Sequence, residues 1–234
     1  MDRFKLHAFE TRDALHRAAS EYCAEQLESA LEAKHSAVFI GAGGTTPGPI
    51  YRQLSHQRLD WTKITVGMTD ERCVPPDHPK SNERLMREAL MQNKASDANF
   101  LSMVGDGRLP IAEQVAQANT SYGEAIAICD LMLIGMGTDG HTLSWFPDVR
   151  GLEEVMAHDA IDWVAHIDAS NSPVAGDETD RLTLTARAVK ATRSCLLVIT
   201  GDEKRRVLES GLETAPIERF AALCNQPVET YWAP

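Results

Sequence analysis

No apolar run in this chain of 234 residues approaches the roughly 20 residues needed to span a bilayer. The opening residues, Met1-Asp2-Arg3-Phe4-Lys5, lack the apolar core and small-residue cleavage site of a secretory leader. Cations are scarce, with 23 Lys and Arg against 34 Asp and Glu and a net charge of −11. Non-specific nucleic-acid binding needs clustered Lys and Arg to displace phosphate counterions, so no nucleic-acid partner is expected. Nor do Trp61, Trp145, Trp163 and Trp232 interleave with basic residues as a base-stacking platform would. The five cysteines (Cys23, Cys73, Cys129, Cys195, Cys224) are odd in number and scattered, and they read as reduced thiols of a cytoplasmic protein. Cys129 and Cys195 border apolar runs; Cys73 falls in a loop, where an inert small residue is the better reading. His35, His56, His78, His158 and His166 show no metal-ligand spacing, and no zinc site is expected. A Gly-x-Ser-x-Gly nucleophile elbow is missing too. These absences leave an anionic metabolite open, because a few converging cations suffice to hold one.

What is present is ordinary globular composition, 43% apolar and 24% charged, in a chain long enough to bury a substantial core. Residues 37–40, 64–68, 131–134 and 195–199 are continuous apolar runs without alternation, as strands covered on both faces require. Helical patterns lie over 11–33, with Thr11 or Asp13 as cap, and over 47–55, 81–92, 110–126, 203–212 and 216–224. Further strands are expected at 161–167, 181–185 and 228–232, some at a sheet edge. Alternation of this kind predicts an α/β fold: one three-layer α/β/α domain over 1–234 with a mostly parallel, modified Rossmann-like sheet. In such sheets ligands sit beyond the carboxyl ends of the strands, so the loops there carry the chemistry.

Three of those loops stand out. After the first run comes Gly41-Ala42-Gly43-Gly44-Thr45-Thr46-Pro47, in which glycines open backbone N–H groups to an anion, the threonines add hydroxyl donors and a helix start adds partial positive charge. It has neither the Gly-Lys-Ser/Thr ending of a Walker A loop nor the third glycine of a dinucleotide fingerprint, and a tight strand-to-helix turn explains it equally well. The second run ends in Asp70-Glu71-Arg72, followed by prolines, His78 and Ser81-Asn82. Three successive ionisable residues there must pair or face a cleft. Period two lets Asp70 and Arg72 point the same way, either as a structural ion pair or with Arg72 free to bind an anionic oxygen. Ser81-Asn82 can cap the following helix. The third loop, Gly135-Met136-Gly137-Thr138-Asp139-Gly140-His141, bends sharply and puts His141 at or near a helix start. A histidine suits general-base work near neutrality, and Asp139 is placed to orient it. Arg181 and Lys204 each add one cation at an element boundary, where an ordinary surface charge is the default.

Taken together, in order, these loops resemble the 6-phosphogluconolactonase family, within the larger group that includes glucosamine-6-phosphate deaminase/isomerase. The resemblance covers Ala42–Pro47, Asp70–Asn82, Gly135–Pro147, Arg181–Thr185 and Gly201–Lys204. Deaminases resemble one another in a Gly-His-Ile-Ala-Phe-Asn-Glu-Pro run; here the residues are Gly140-His141-Thr142-Leu143-Ser144-Trp145-Phe146-Pro147, and Arg72 stands where deaminases usually carry an aromatic residue. Both features point to lactonase. Ala42 stands where the family usually has serine, and Leu143 and Trp145 replace smaller or aliphatic residues.

The resemblance implies hydrolysis of 6-phospho-D-glucono-1,5-lactone to 6-phospho-D-gluconate, the second step of the oxidative pentose phosphate pathway. Gly43, Gly44, Thr45, Thr46, Arg181 and Lys204 would hold the phosphate. His141 would activate water, Arg72 would stabilise the oxyanion, Asp70 would orient Arg72 or the sugar hydroxyls, and Asp139 would support His141. Neither a metal nor an organic cofactor is implied, since a lactone is already an activated ester. Two rivals stand beside this: amino-sugar-phosphate deamination with Asp70 as base, and a non-catalytic sugar-phosphate sensor. No membrane partner is expected, and the sequence sets no oligomeric state.

Overall fold

The computed structural model describes residues 3–234. Met1 and Asp2, part of the N-terminal stretch read for a leader, lie outside the described residues. In chain order the elements are β1 (Phe4–Ala8), α1 (Arg12–Lys34), β2 (Ala37–Gly41), α2 (Pro47–Leu54), β3 (Ile64–Met68), β4 (Asp70–Arg72), α3 (Asn82–Ala89), β5 (Asn99–Phe100), α4 (Ile111–Ala125) and β6 (Cys129–Ile134). Then follow α5 (Leu152–Val155), β7 (Val164–Asp168), β8 (Asp180–Leu184), α6 (Ala186–Lys190), β9 (Thr192–Thr200), α7 (Asp202–Glu209), α8 (Pro216–Leu223) and β10 (Val228–Ala233). Seven strands form one parallel sheet in the order β1-β10-β9-β6-β2-β3-β5. Every residue of β2 and β6 is buried, which is why these runs are apolar throughout instead of alternating.

Helix α1 shows how the layers form. Leu15, Ala19, Cys23, Leu27 and Ala30 recur at helical spacing and are buried against β2, β6, β9 and β10. Thr11 caps it, its Oγ1 accepting from the Ala14 N–H at 3.2 Å, a contribution of about 1 kcal/mol. His35 ends it in the left-handed region, at φ 60°, with its N–H on the Leu31 carbonyl. Among the described residues no helix is long and apolar enough to cross a membrane.

Two expectations need correction. The strands near 161–167 and 181–185 do not belong to the main sheet; as β7 and β8 they join β4 in a separate antiparallel sheet, order β4-β8-β7, with β7 at its edge. Thr69 joins the two sheets: its N–H donates to the Gly41 carbonyl at 3.1 Å and its own carbonyl accepts from Leu184 N–H at 2.9 Å. The helix expected over 81–92 stops at Ala89, and a short 3₁₀ turn follows at Asn93–Asp97.

Strand order places the loops. The chain runs outward from β2 through β3 to β5, then returns to β6 on the other side of β2. The crevice between diverging connections therefore opens beyond the carboxyl ends of β2 and β6. At the opposite end of β6, buried Asp130 accepts from Val38 N–H at 2.8 Å, pairs with Lys34 at 2.9 Å and lies 3.8 Å from Arg193.

Candidate active site

The loop after β2 is pinned to its neighbours at one residue. Ala42 donates its N–H to the Leu133 carbonyl of β6 at 2.9 Å and accepts at its own carbonyl from the Tyr51 hydroxyl at 2.6 Å. Gly43 to Thr46 then arch over the crevice. Thr46 stands at the N-cap of α2 but makes no side-chain cap bond, and neither threonine hydroxyl has a hydrogen-bond partner among the described residues. Pro47 and Pro49 lack N–H groups, so the start of α2 donates little by itself. Any anion cradle here must be made by the loop N–H groups and the two hydroxyls.

Consecutive residues of β4 take different roles. Glu71 is 1% exposed. Its carboxylate accepts from the N–H groups of Arg72 (2.7 Å), Asn82 (2.9 Å) and Glu83 (2.7 Å) and from Ser81 Oγ at 2.9 Å. It thereby closes the N-terminus of α3, where the helix dipole favours negative charge. Burial pushes its pKa up, and these four donors oppose that shift. Asp70 faces the crevice, one oxygen accepting from Ser144 Oγ at 2.6 Å and the other from Thr69 Oγ1 at 2.8 Å. Of the two readings of this segment, the structural Asp70–Arg72 ion pair does not form; the Arg72 guanidinium donates instead to Asn82 Oδ1. Ser81 caps α3 as anticipated, accepting from Arg84 N–H at 3.2 Å.

The loop after β6 folds His141 back on itself. Gly137 N–H donates to the His141 carbonyl at 2.9 Å, and Gly140, at φ 80°, donates to the Gly137 carbonyl at 3.1 Å. A Cβ on Gly137 would run into the His141 ring and Asp139 Oδ1, so only glycine admits this turn. Asp139 Oδ1 lies 2.6 Å from His141 Nδ1 and also accepts the His141 backbone N–H at 3.2 Å. Burial pushes the Asp139 carboxyl up, but its bonds with His141 win and hold it below the usual aspartate range. An ionised carboxylate only accepts, so Nδ1 carries the proton and Nε2 is left to take one. The ring of Phe146 packs against His141 with centroids 4.5 Å apart. The helix expected after His141 is absent: a tight turn bridges Thr142 to Trp145, Leu143 sits at φ 53°, and α5 begins only at Leu152. Three glycines and the Asp139 side chain use local hydrogen bonds that a helix start would have needed.

Arg181 stands opposite Arg72 in the register of β4 and β8 and is 3% exposed. Its Nε and Nη2 donate to the carbonyls of Glu178 and Ala175, each at 2.6 Å. These bonds fasten the loop before β8 and leave Nη1 for the crevice. Burial, then the charge of Arg72, push against its protonated form. Lys204, in the first turn of α7, is half-buried and makes no ion pair or hydrogen bond among the described residues. Burial lowers its pKa, while Asp139 and Glu203 act in the opposite sense. Cys73 lies beside this region with its thiol pushed up to about 12, first by burial, as an inert thiol would be.

One cleft of about 270 Å³ gathers these groups: Gly43, Gly44, Thr45, Thr46, Asp70, Arg72, His141, Arg181 and Lys204 all line it. Asp139 stands behind His141. Sequence reading missed the parts played by Asn82, Ser144 and Phe146. All three lie in segments already singled out. Ser144 and Asn82 find their partners on other elements, at Asp70 and Arg72, whereas Phe146 meets His141 within its own loop, a contact that the turn and not the spacing creates. Among the described residues no group of His, Cys, Asp and Glu is arranged to hold a metal ion.

A family model described as glucosamine-6-phosphate isomerases/6-phosphogluconolactonase matches residues 10–232. A 6-phosphogluconolactonase of Rhizobium meliloti is 34% identical over 98% of this chain and 98% of its own. One from Mesorhizobium japonicum is 31% identical over 99% of this chain and 96% of its own. The crystal structure of a 6-phosphogluconolactonase from Shewanella baltica superposes with a TM-score of 0.88 at 30% identity, covering 98% of this chain and 97% of that one. The chain belongs to the family of glucosamine-6-phosphate isomerases and 6-phosphogluconolactonases, and it is an enzyme of the lactonase kind.

Proposed function

We propose that this enzyme hydrolyses 6-phospho-D-glucono-1,5-lactone to 6-phospho-D-gluconate in the cytoplasm, as the second step of the oxidative pentose phosphate pathway, with His141 as general base. One observation carries the reading: His141, oriented by Asp139, lines the same cleft as Arg72 and a glycine-threonine loop with free donors. The names of the relatives supply the substrate. The phosphate binds to the Gly43–Thr46 loop with Arg181 and Lys204, and this anchoring fixes the lactone carbonyl near His141. Nε2 of His141 takes a proton from water as its oxygen attacks C1. Negative charge develops on the carbonyl oxygen, and the Arg72 guanidinium stabilises it. As the tetrahedral intermediate collapses, the C1–O5 bond breaks and the imidazolium returns its proton to the departing ring oxygen. Asp70, which accepts from Ser144 and Thr69, takes the sugar hydroxyls in this reading.

His141→Ala is the direct test, on freshly generated lactone with the spontaneous rate subtracted. A loss of about 10²–10⁴ in kcat is expected, the usual worth of a general base. Full activity in the variant removes His141 from the chemistry. Release of ammonia from glucosamine 6-phosphate without lactone hydrolysis would replace the reading by deamination.

A further inference from the structure

We infer that Asn82 is a positioning residue that fixes the Arg72 guanidinium relative to the phosphate loop. The inference rests on the reading of Arg72 as the oxyanion donor. Asn82 is the first residue of α3 and is 2% exposed. Its backbone N–H is bound to Glu71 Oε1 at 2.9 Å, so a buried carboxylate fixes where its Cα sits. Its Nδ2 donates to the Asp70 carbonyl at 2.7 Å, which sets the plane of the carboxamide. Oδ1 then faces the cleft and accepts from Arg72 Nη1, the one hydrogen bond that the Arg72 side chain makes among the described residues. On its other side the same carboxamide lies against Gly43, where a Cβ would collide with it. Asn82 therefore touches the phosphate loop and both functional residues of β4 at once.

The chemistry of this tether matters as much as its position. Arg72 stands opposite Arg181 in the sheet register, and like charges so close push the two guanidiniums apart. Arg72 needs an acceptor to stay in place. A carboxylate would hold it more strongly but would cancel the charge that the oxyanion needs, whereas an amide oxygen holds it and leaves that charge uncompensated.

The experiment measures kcat and KM for the lactone in Asn82→Ala, Asn82→Asp, Arg72→Ala and the double variants, with thermal melting to establish folding. Asn82→Ala is expected to lower kcat about tenfold, the worth of one hydrogen bond to a charged group, with KM within about twofold. In the Arg72→Ala background the same substitution should cost nothing further, because its effect passes through Arg72. Asn82→Asp retains the acceptor and suits a helix start but loses the Nδ2 donation to the Asp70 carbonyl, so it serves as a second variant whose folding is read from the same melts. It should also lower kcat, and again not in the Arg72→Ala background. Losses that multiply in the double variant, or an Asn82→Asp enzyme as fast as wild type, overturn the inference. So does an unimpaired Asn82→Ala beside an impaired Arg72→Ala. Full activity in Arg72→Ala sinks the oxyanion reading itself, which separates the two failures.

Discussion

The two ends of the central sheet treat buried charge in opposite ways. At the amino end, buried Asp130 of β6 is neutralised by its neighbours: Oδ2 takes Lys34 and the Val38 N–H, and Arg193 lies 3.8 Å from Oδ1. At the carboxyl end of β2 and β6, three cations and one carboxylate line the cleft, and Lys204 has no partner among the described residues. Where carboxylates there do have partners, these are hydroxyls, as at Asp70, or the imidazole of His141, as at Asp139. Charge compensated on the spot serves the scaffold. Charge held in place yet uncompensated is available to a substrate.

Substitutions at the two ends should therefore separate activity from stability. After His141→Ala, the largest effect is expected at Asp139. Asp139→Asn replaces a carboxylate that can only accept by an amide that can also donate to Nδ1, so the His141 tautomer is no longer fixed. The kcat should fall on the order of a hundredfold, with little change in melting temperature. An unchanged kcat would erase its role. Asp130→Ala should do the reverse, costing about 2–3 kcal/mol by stranding the Val38 N–H and two cations, which are partly able to reach water, while kcat stays put. Chemical denaturation measures the first and steady-state assay the second. Lys204→Ala should raise KM about tenfold with kcat nearly kept, as loss of a phosphate contact predicts. The smallest effect concerns pH. Burial lowers the Lys204 pKa, so the ammonium loses its proton before the ordinary lysine range is reached. Affinity for 6-phosphogluconate, measured by calorimetry, should decline on that alkaline side, and Lys204→Arg, which stays protonated, should flatten the decline.

How legible this molecule is from sequence depends on the range of the contact. Strands β2, β6 and β9 are readable because burial on both faces writes a continuous apolar run. Strand β1 was not foreseen: Phe4-Lys5-Leu6-His7-Ala8 mixes apolar and charged residues because it lies at the sheet edge with much of it exposed. Strands β4 and β5 are too short to show any period, and the second sheet stays hidden because β4 reads as three charges. The cleft was legible in its loops, where glycine and ionisable residues break the apolar pattern at strand ends. Its internal wiring was not, because Asn82 with Arg72 and Ser144 with Asp70 are tertiary pairs that leave no spacing signal.

The converging cations of Arg72, Arg181 and Lys204 have a consequence for handling the enzyme. On the proposed reading, a small dianion that fits among them binds the folded chain and not the unfolded one, so it should raise the melting temperature by mass action. At a hundred times its dissociation constant the gain is about 2.7 kcal/mol. On that reading the same ion competes with substrate. Inorganic phosphate in the storage buffer should make the protein longer-lived and slower at once, and a preparation judged best by its shelf life would be judged worst by its assay.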